Sequence, residues 1–383
     1  MEGPKYRAAI IGAGWMGGFI DGLSSMPEYR LPCDHASAYT AIEETQVVAA
    51  ANRGEARRKA FTERFGVANT YADYREMIEK EKPDIVSVTT PAYTHAEQII
   101  FALEHGVRGI YAEKGLCASL DEADRLTTAL KSNHIAFNWG AERRHQDGVV
   151  RLRQAIARGD IGEPRYAVVY ALTDLMKHHS HSFNTAAMLL GDPAPSWVEG
   201  SLVESGDPLD PGSARLGPHE GTGPFERQPL GLPTYDPDRH RFVPPPGYYE
   251  VADPIVGFSR VGYANGAQAV FIPMAERYID IDVHGSEGRA YVWDDGEVYR
   301  IRRHSKSNSE VTERSIRQTG ESPTVRIIRE IIHELETGER TAGNIDITMQ
   351  TVEVQFALAH SHLQAGARVD VPVADRGLYI PSH

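Results

Sequence analysis

Tyr6-Arg7-Ala8-Ala9-Ile10-Ile11-Gly12-Ala13-Gly14-Trp15-Met16-Gly17 joins a short β-rich run to a Gly-x-Gly-x-x-Gly turn. A chain that grips a pyrophosphate must turn sharply after a strand, bring its backbone against the phosphates and start a helix whose N-terminus faces the charge. Gly12, Gly14 and Gly17 occupy the three positions where a side chain would obstruct those steps, with Trp15 and Met16 completing the loop. The sequence downstream supplies the setting that such a turn needs. Gln46–Ala51, Ile85–Thr89 and Gly109–Ala112 read as strands. Between them, Glu55–Phe65 has helical spacing stopped by Gly66, and His95–Glu104 is a helix closed by Gly106. Ser119-Leu120-Asp121-Glu122 has the form of a capping box and opens another helix. Strands alternating with helices of this length predict a parallel sheet covered on both faces, over residues 1–135.

Past Asn138 the rhythm changes. Arg151–Arg158 reads as a helix closed by Gly159, while Ala167–Ala171 and Ala267–Ile272 read as strands without crossover helices. A second α/β domain with a mostly antiparallel sheet is expected over 136–383, closed by helices at Thr324–Thr337 and Ile347–Gln364. Between Gly206 and Pro254 lie eleven of the 23 prolines. Proline fixes φ and lacks a donor, so this stretch is expected to be a long loop or arm, anchored by Phe225, Tyr235, Phe242, Tyr248 and Tyr249.

Composition bounds the partners. The chain has 383 residues, 40 Lys+Arg against 53 Asp+Glu and a net charge of −13. That balance argues against nucleic acid and anionic membranes, which demand a basic surface. The apolar run Ala8–Phe19 is too short to span a bilayer. Two cysteines, Cys33 and Cys117, in a chain this long read as reduced thiols, so a cytoplasmic protein is expected.

The end of the second strand normally presents an acid to the adenosine ribose of NAD. Here Asn52-Arg53 stands there, with Arg57 and Arg58 a helical turn on. A neutral side chain beside guanidiniums accepts a 2′-phosphate, which tilts the cofactor toward NADP with NAD still open. About forty residues separate Gly12 from Asn52, twice the usual spacing, and the excess is assigned to an insertion around Leu23–Ala38. Glu113-Lys114-Gly115 ends another strand of the same sheet, where Lys114 can hold a substrate hydroxyl and stabilise a developing alkoxide. Asp174 to Asn184 contains Lys177, His178, His179 and His181. Read as one helix, it sets residues 177, 181 and 184 on a common face. Histidine is the usual group for moving a hydroxyl proton near neutral pH. Because His178 and His179 point to different faces and no carboxylate or thiolate set accompanies them, no metal site is expected.

Together these pieces resemble the Gfo/Idh/MocA family, named for glucose-fructose oxidoreductase and inositol dehydrogenase. The resemblance rests on the glycine turn, Thr90-Pro91-Ala92-Tyr93-Thr94-His95, Glu113-Lys114 and Asn138 with Arg143-Arg144. It continues through Gly162-Glu163-Pro164, the His181-centred helix and Ala365-Gly366-Ala367-Arg368-Val369-Asp370-Val371-Pro372. It implies a Rossmann domain followed by an α/β domain whose large, mostly antiparallel sheet forms a homodimer or homotetramer interface. It extends the cofactor-facing set to Thr90, Pro91, His95 and Glu113, and brings Lys114 to both nicotinamide and substrate. The family's Asp-x-x-x-His pair, laid on this chain, makes His181 the acid–base group and puts Lys177 at the aspartate position. Asn184 then replaces a frequent acid, Gly115 replaces a proline, and Arg143, Arg144, Lys177 and His178 line the substrate side. Lys177 in that position lowers the histidine pKa.

The activity so implied is NAD(P)-dependent hydride transfer with a secondary alcohol or ketone of a sugar, cyclitol or glycoside. Two alternatives stand beside it. One is a retained-cofactor enzyme that cleaves glycosides through transient oxidation and elimination; the other is a non-catalytic nucleotide-binding regulator.

Overall fold

A computed structural model describes residues 4–22, 28–132, 134–210, 232–244, 252–274, 279–304, 311–316 and 320–382. The alternating pattern of the first part folds as expected into a six-stranded parallel sheet: β1 (Tyr6–Ile11), β2 (Thr45–Ala51), β3 (Thr70–Tyr71), β4 (Ile85–Val88), β5 (Gly109–Ala112) and β6 (Ala136–Trp139). The order β3-β2-β1-β4-β5-β6 reverses between β1 and β4. At that reversal the connections leave in opposite directions and open a crevice at the carboxyl ends of the strands. The helices are α1 (His35–Thr40), α2 (Glu55–Phe65), α3 (Tyr74–Glu81), α4 (His95–Glu104) and α5 (Leu120–Ser132). Gly66 stops α2 at φ 67°, and Glu122 N donates to Ser119 Oγ at the start of α5. Because β6 pairs with β5 in this sheet, the sheet ends at Trp139, past the boundary expected at 135.

The first crossover departs from the expected pattern. After Gly14 the chain makes only a five-residue wide turn, Trp15–Phe19, and reaches α1 through short turns at Ile20–Gly22 and Glu28–Arg30. So short a helix leaves part of the sheet face bare. The face is covered by a helix from far along the chain, Pro323–Thr337, whose Val325, Ile327, Ile328, Ile331 and Ile332 are buried with Tyr6, Ala8, Tyr39, Ile85 and Tyr111. Each such side chain contributes about 1.5–3 kcal/mol by leaving water. Gly109 allows the approach, since a Cβ there would lie 2.9 Å from Ile331 Cγ2.

The rest of the second domain contains α6 (Asp147–Ala157), β7 (Pro164–Tyr170), α7 (His179–Leu189), β8 (Pro195–Leu202), β9 (Thr234–Asp236), β10 (Arg241–Val243), β11 (Val256–Tyr263) and β12 (Gln268–Ile272). It continues with β13 (Asp280–Gly285), β14 (Gly288–Trp293), β15 (Val298–His304), β16 (Val311–Ile316), the returning helix α8 (Pro323–Thr337), α9 (Ile345–Leu363) and β17 (Val369–Asp370). Nine of these strands form one sheet in the order β16-β15-β14-β13-β7-β12-β11-β8-β17. Among the described residues its pairings are antiparallel except β7–β12. Helices α6, α7 and α9 pack against it. Of the expected arm, 211–231 and 245–251 lie outside the described residues, and with them Phe225, Tyr248 and Tyr249. The described middle is the hairpin β9–β10, where Tyr235 and Phe242 pack at 5.8 Å and Phe242 N donates to Tyr379 O near the C-terminus.

Candidate active site

The glycine turn follows β1 at the reversal of strand order. Gly12 has φ 102°, and a Cβ there would lie 2.9 Å from the backbone of Thr89. A Cβ at Gly17 would lie 2.2 Å from Gly12 O. Thr89 Oγ1 donates to Gly12 O at 2.6 Å and ties the turn to the end of β4. This backbone cradle, with Gly14, Trp15, Met16, Thr90 and Pro91 half-buried around it, fits a dinucleotide pyrophosphate. At the adenosine end, Asn52 Oδ1 accepts Gly54 N, while Arg58 binds the carbonyls of Asn52 and Arg53. Arg58 is thereby committed to the strand end. Arg53 is exposed, and Arg57 Nη1 lies 3.2 Å from where a Gly14 Cβ would be.

Not every residue expected to face the cofactor does so. His95 is fully buried and donates through Nε2 to Thr90 O at 2.7 Å. Burial lowers its pKa, with the carbonyls it touches opposing. His95 shapes the Thr90–Pro91 loop from behind, because the first turn of α4 points its side chain into the core.

The centre of the site is Glu113. Its carboxylate, almost fully buried, receives Lys114 Nζ on Oε2 at 2.9 Å and His35 Nε2 on Oε1 at 3.2 Å. Burial opposes ionisation, but Lys114 and His35 outweigh it and hold the carboxyl at about 2. Lys114 is itself pulled down by burial and raised above its ordinary value by Glu113 and Glu142, so it stays an ammonium. Gly115, joined to Lys114 by a cis peptide, lies against the second domain: a Cβ there would be 3.2 Å from Met176 O.

That contact sets Lys114 beside a second pair. Asp174 accepts His178 Nδ1 at 2.9 and 3.1 Å and His178 N at 2.6 Å. Burial works against ionisation of Asp174, yet His178 and Lys177 hold it well below the usual carboxylate range. An ionised carboxylate only accepts, so His178 carries its proton on Nδ1 and offers Nε2 as a base. Burial lowers the His178 pKa; Asp174 raises it, and Lys177 and Lys114 lower it further. The loop that carries the pair is tied down from two sides. Gln355 of α9 donates to Leu175 O, and Asp253 accepts Met176 N, Lys177 N and Ser382 Oγ. Burial and the neighbouring Asp174 raise the Asp253 pKa.

Comparison with known proteins adds to this geometry. Residues 6–140 match the Gfo/Idh/MocA model, described as an oxidoreductase family with an NAD-binding Rossmann fold. The N-terminal third of the chain is thus similar to the Gfo/Idh/MocA family. Myo-inositol 2-dehydrogenase of Thermotoga maritima is 29% identical over 135 residues, 35% of this chain and 40% of that protein. Levoglucosan dehydrogenase of Pseudarthrobacter phenanthrenivorans is 30% identical over 157 residues, 41% and 38% of the two chains. The matched stretch thus spans about two-fifths of these curated relatives. Over the whole fold, a levoglucosan dehydrogenase solved with NADH and levoglucosan superposes with TM-score 0.72 at 18% identity, covering 96% of this chain and 99% of that one. An NAD binding oxidoreductase from Klebsiella pneumoniae gives TM-score 0.72 at 17% identity, over 97% and 100%.

An Asp-x-x-x-His spacing is present at Asp174 and His178, whereas the resemblance was laid on positions 177 and 181. The expected register treated 174–184 as one helix, but α7 begins only at His179 and Lys177 lies in the turn before it. His181, 2% exposed, has no partner at Nδ1. Its pKa is driven well down by burial, then by Arg143, Lys114, His178 and Arg30; Lys177 is not the cause expected. The two arginines are also committed. Arg143 donates twice to Asp295, which binds Arg30 as well. Arg144 is locked on Asp192 and on Asn184 Oδ1 at 2.6 Å, so Asn184 serves this buried guanidinium rather than the dyad. Asp174 was legible as the aspartate of its own Asp-x-x-x-His; His35 and Asp253 carried no such signal. The Asp174 charge and hydrogen bond raise the His178 pKa, and replacing Asp174 with Asn removes that charge. Proton NMR titration of the His178 ring should therefore show it falling further, and an unchanged or higher value would exclude Asp174 as the counter-ion of that ring.

Proposed function

We propose that the protein is a nicotinamide-dependent oxidoreductase acting on a secondary alcohol or ketone of a sugar, cyclitol or glycoside. The observation that carries the reading is the contact of Gly115 with Met176, which brings the Glu113–Lys114 pair and the Asp174–His178 pair together at the mouth of the glycine crevice. A bound nicotinamide supplies the acceptor or donor of a hydride. The chain's own residues do the rest. Lys114 directs its ammonium at the substrate oxygen and stabilises the charge that develops there, with Glu113 fixing its pose. His178, rather than His181, exchanges the hydroxyl proton at Nε2, because Asp174 fixes its tautomer and its side chain is 29% exposed where His181 is buried. Support for the substrate class comes from the relatives named for inositol and levoglucosan. Lys177 and Asn184, the two departures from the family pattern that leave a glycoside-cleaving enzyme open, are not members of the Asp174–His178 pair.

For the cofactor we favour NADP, on Asn52 in place of an acid, the exposed Arg53 and the placement of Arg57 over Gly14. For assembly we favour a second copy of this chain on the face of the large sheet that bears Tyr166 and Phe258, each about half exposed.

Three measurements test these statements. Titration of NAD(H) and NADP(H) should find NADPH the tighter ligand. Replacing Arg53 and Arg57 together with Ser should then weaken NADPH about 30-fold and NADH little, as expected for losing about 2 kcal/mol of charged hydrogen bonding. With cofactor bound, absorbance at 340 nm should change on adding a polyol or keto-sugar. Lys114→Ala should cut that rate about 10³-fold with cofactor binding kept, and wild-type protein silent across the panel would sink the oxidoreductase reading. In light scattering, Tyr166→Asp with Phe258→Asp should convert an oligomer to monomer.

A further inference from the structure

The first crossover is twice the ordinary length, and its extra residues deliver one side chain to the site. Asp21 Oδ1 accepts Cys33 N and Asp34 N at 2.9 and 3.0 Å. Ser322 Oγ and Thr324 Oγ1, at the start of α8, donate to Pro32 O and Cys33 O. Asp34 then caps α1 by accepting Ser37 N at 2.7 Å. The first residue of α1 is His35, fully buried, its ring centroid 3.9 Å from that of Tyr111 with the planes tilted by 32°.

Both nitrogens of that ring are engaged. Nε2 meets Glu113 Oε1 at 3.2 Å, and Nδ1 meets Ser87 Oγ at 2.9 Å. Ser87 Oγ in turn lies 3.0 Å from Tyr39 Oη. Because the ionised Glu113 only accepts, Nε2 must donate to it. With the ring neutral, Ser87 donates to Nδ1 and Tyr39 donates to Ser87, so every hydrogen bond in the row points toward Glu113. The far end is closed: Tyr39 is fully buried and its phenol is held well above its ordinary pKa by that burial. A row with no outlet to water conducts no proton, but it fixes an orientation. By occupying Oε1 it leaves Oε2 to Lys114.

We propose that His35 is a positioning residue for Lys114, acting through the Glu113 carboxylate. This rests on the reading of Lys114 as the group that meets the substrate oxygen, but the contact itself is open to test without substrate or cofactor. Losing the His35 donor makes Glu113 a stronger base, and Lys114 is then held more tightly as its ammonium.

The experiment is competitive acetylation of the apoprotein by acetic anhydride near pH 9, with each lysine followed by mass spectrometry. Four variants are compared with wild type. His35→Phe keeps an aromatic ring against Tyr111 and removes both hydrogen bonds; Lys114 should label at least threefold more slowly, the other lysines unchanged. His35→Gln reaches Glu113 and should restore the wild-type rate, whereas His35→Asn reaches only Ser87 and should behave like Phe. Glu113→Gln should speed labelling. If His35→Phe fails to fold, the Gln and Asn pair answers the same question. Wild-type labelling in both Phe and Asn variants, or in Asn alone where Phe does not fold, would overturn the proposal while leaving the oxidoreductase reading intact. Where turnover is measurable, the Asn variant should lose about tenfold in kcat, with the Kd for dinucleotide unchanged and rescue by Gln. If wild-type protein turns over nothing, the functional reading fails and the labelling still decides the role of His35.

Discussion

An ionised carboxyl removed from water is unstable by several kcal/mol unless opposite charge and hydrogen bonds replace the solvent, roughly the magnitude known for buried ion pairs. Glu113 imposes that requirement at the end of β5, and much of the site is arranged to meet it. Lys114 answers on one oxygen, His35 on the other, and Gly140 leaves room, since a Cβ there would lie 2.9 Å from Oε1. The compensation runs in both directions. Burial lowers the Lys114 pKa, and Glu113 with Glu142 more than offsets it, so the lysine stays charged. A lysine so held is a fixed positive charge in a place of low dielectric, which is where such a charge acts most strongly on a developing alkoxide.

Meeting that requirement reaches into the fold. His35 arrives only because the first crossover is long, and among its described residues that crossover has no helix longer than the six residues of α1. Helix α8 supplies the missing cover and at the same time fastens Pro32 and Cys33, the residues just before His35. The Rossmann sheet, the inserted crossover and a helix from the far end of the chain are thus one packed unit. The second domain closes on it through Gly115 against Met176, and through Arg30 and Arg143, which share Asp295. The catalytic candidates therefore come from two domains joined by shared hydrophobic clusters as well as by these buried polar contacts.

Much of this was legible in local sequence. Tyr6–Ile11, Glu55–Phe65, His95–Glu104 and Gly109–Ala112 fold over the ranges read for them. In each, hydrophobic spacing and a terminal glycine or strand end agree, so the local signal needs no tertiary arbitration. The stretch 174–184 misled because helical spacing alone does not mark where a helix begins. Asp174 takes the His178 backbone N–H and Asp253 takes those of Met176 and Lys177, so the chain turns before α7 starts. That turn moves the histidine of the pair from His181 to His178. Arg144 was expected to line the substrate side, but its buried guanidinium is held by Asn184 Oδ1 and Asp192.

The sequence by itself determined the alternating sheet, the glycine cradle and the chemical types at the strand ends, because each depends on residues within a few positions of one another. Only the tertiary structure decided which histidine pairs with Asp174, which arginines are already paired, and that His35 stands behind Glu113. The reason is physical. Those choices are settled by which charges share a low-dielectric space, and residues 35, 87 and 113, or 174 and 253, enter that space from strands and turns that no spacing rule connects.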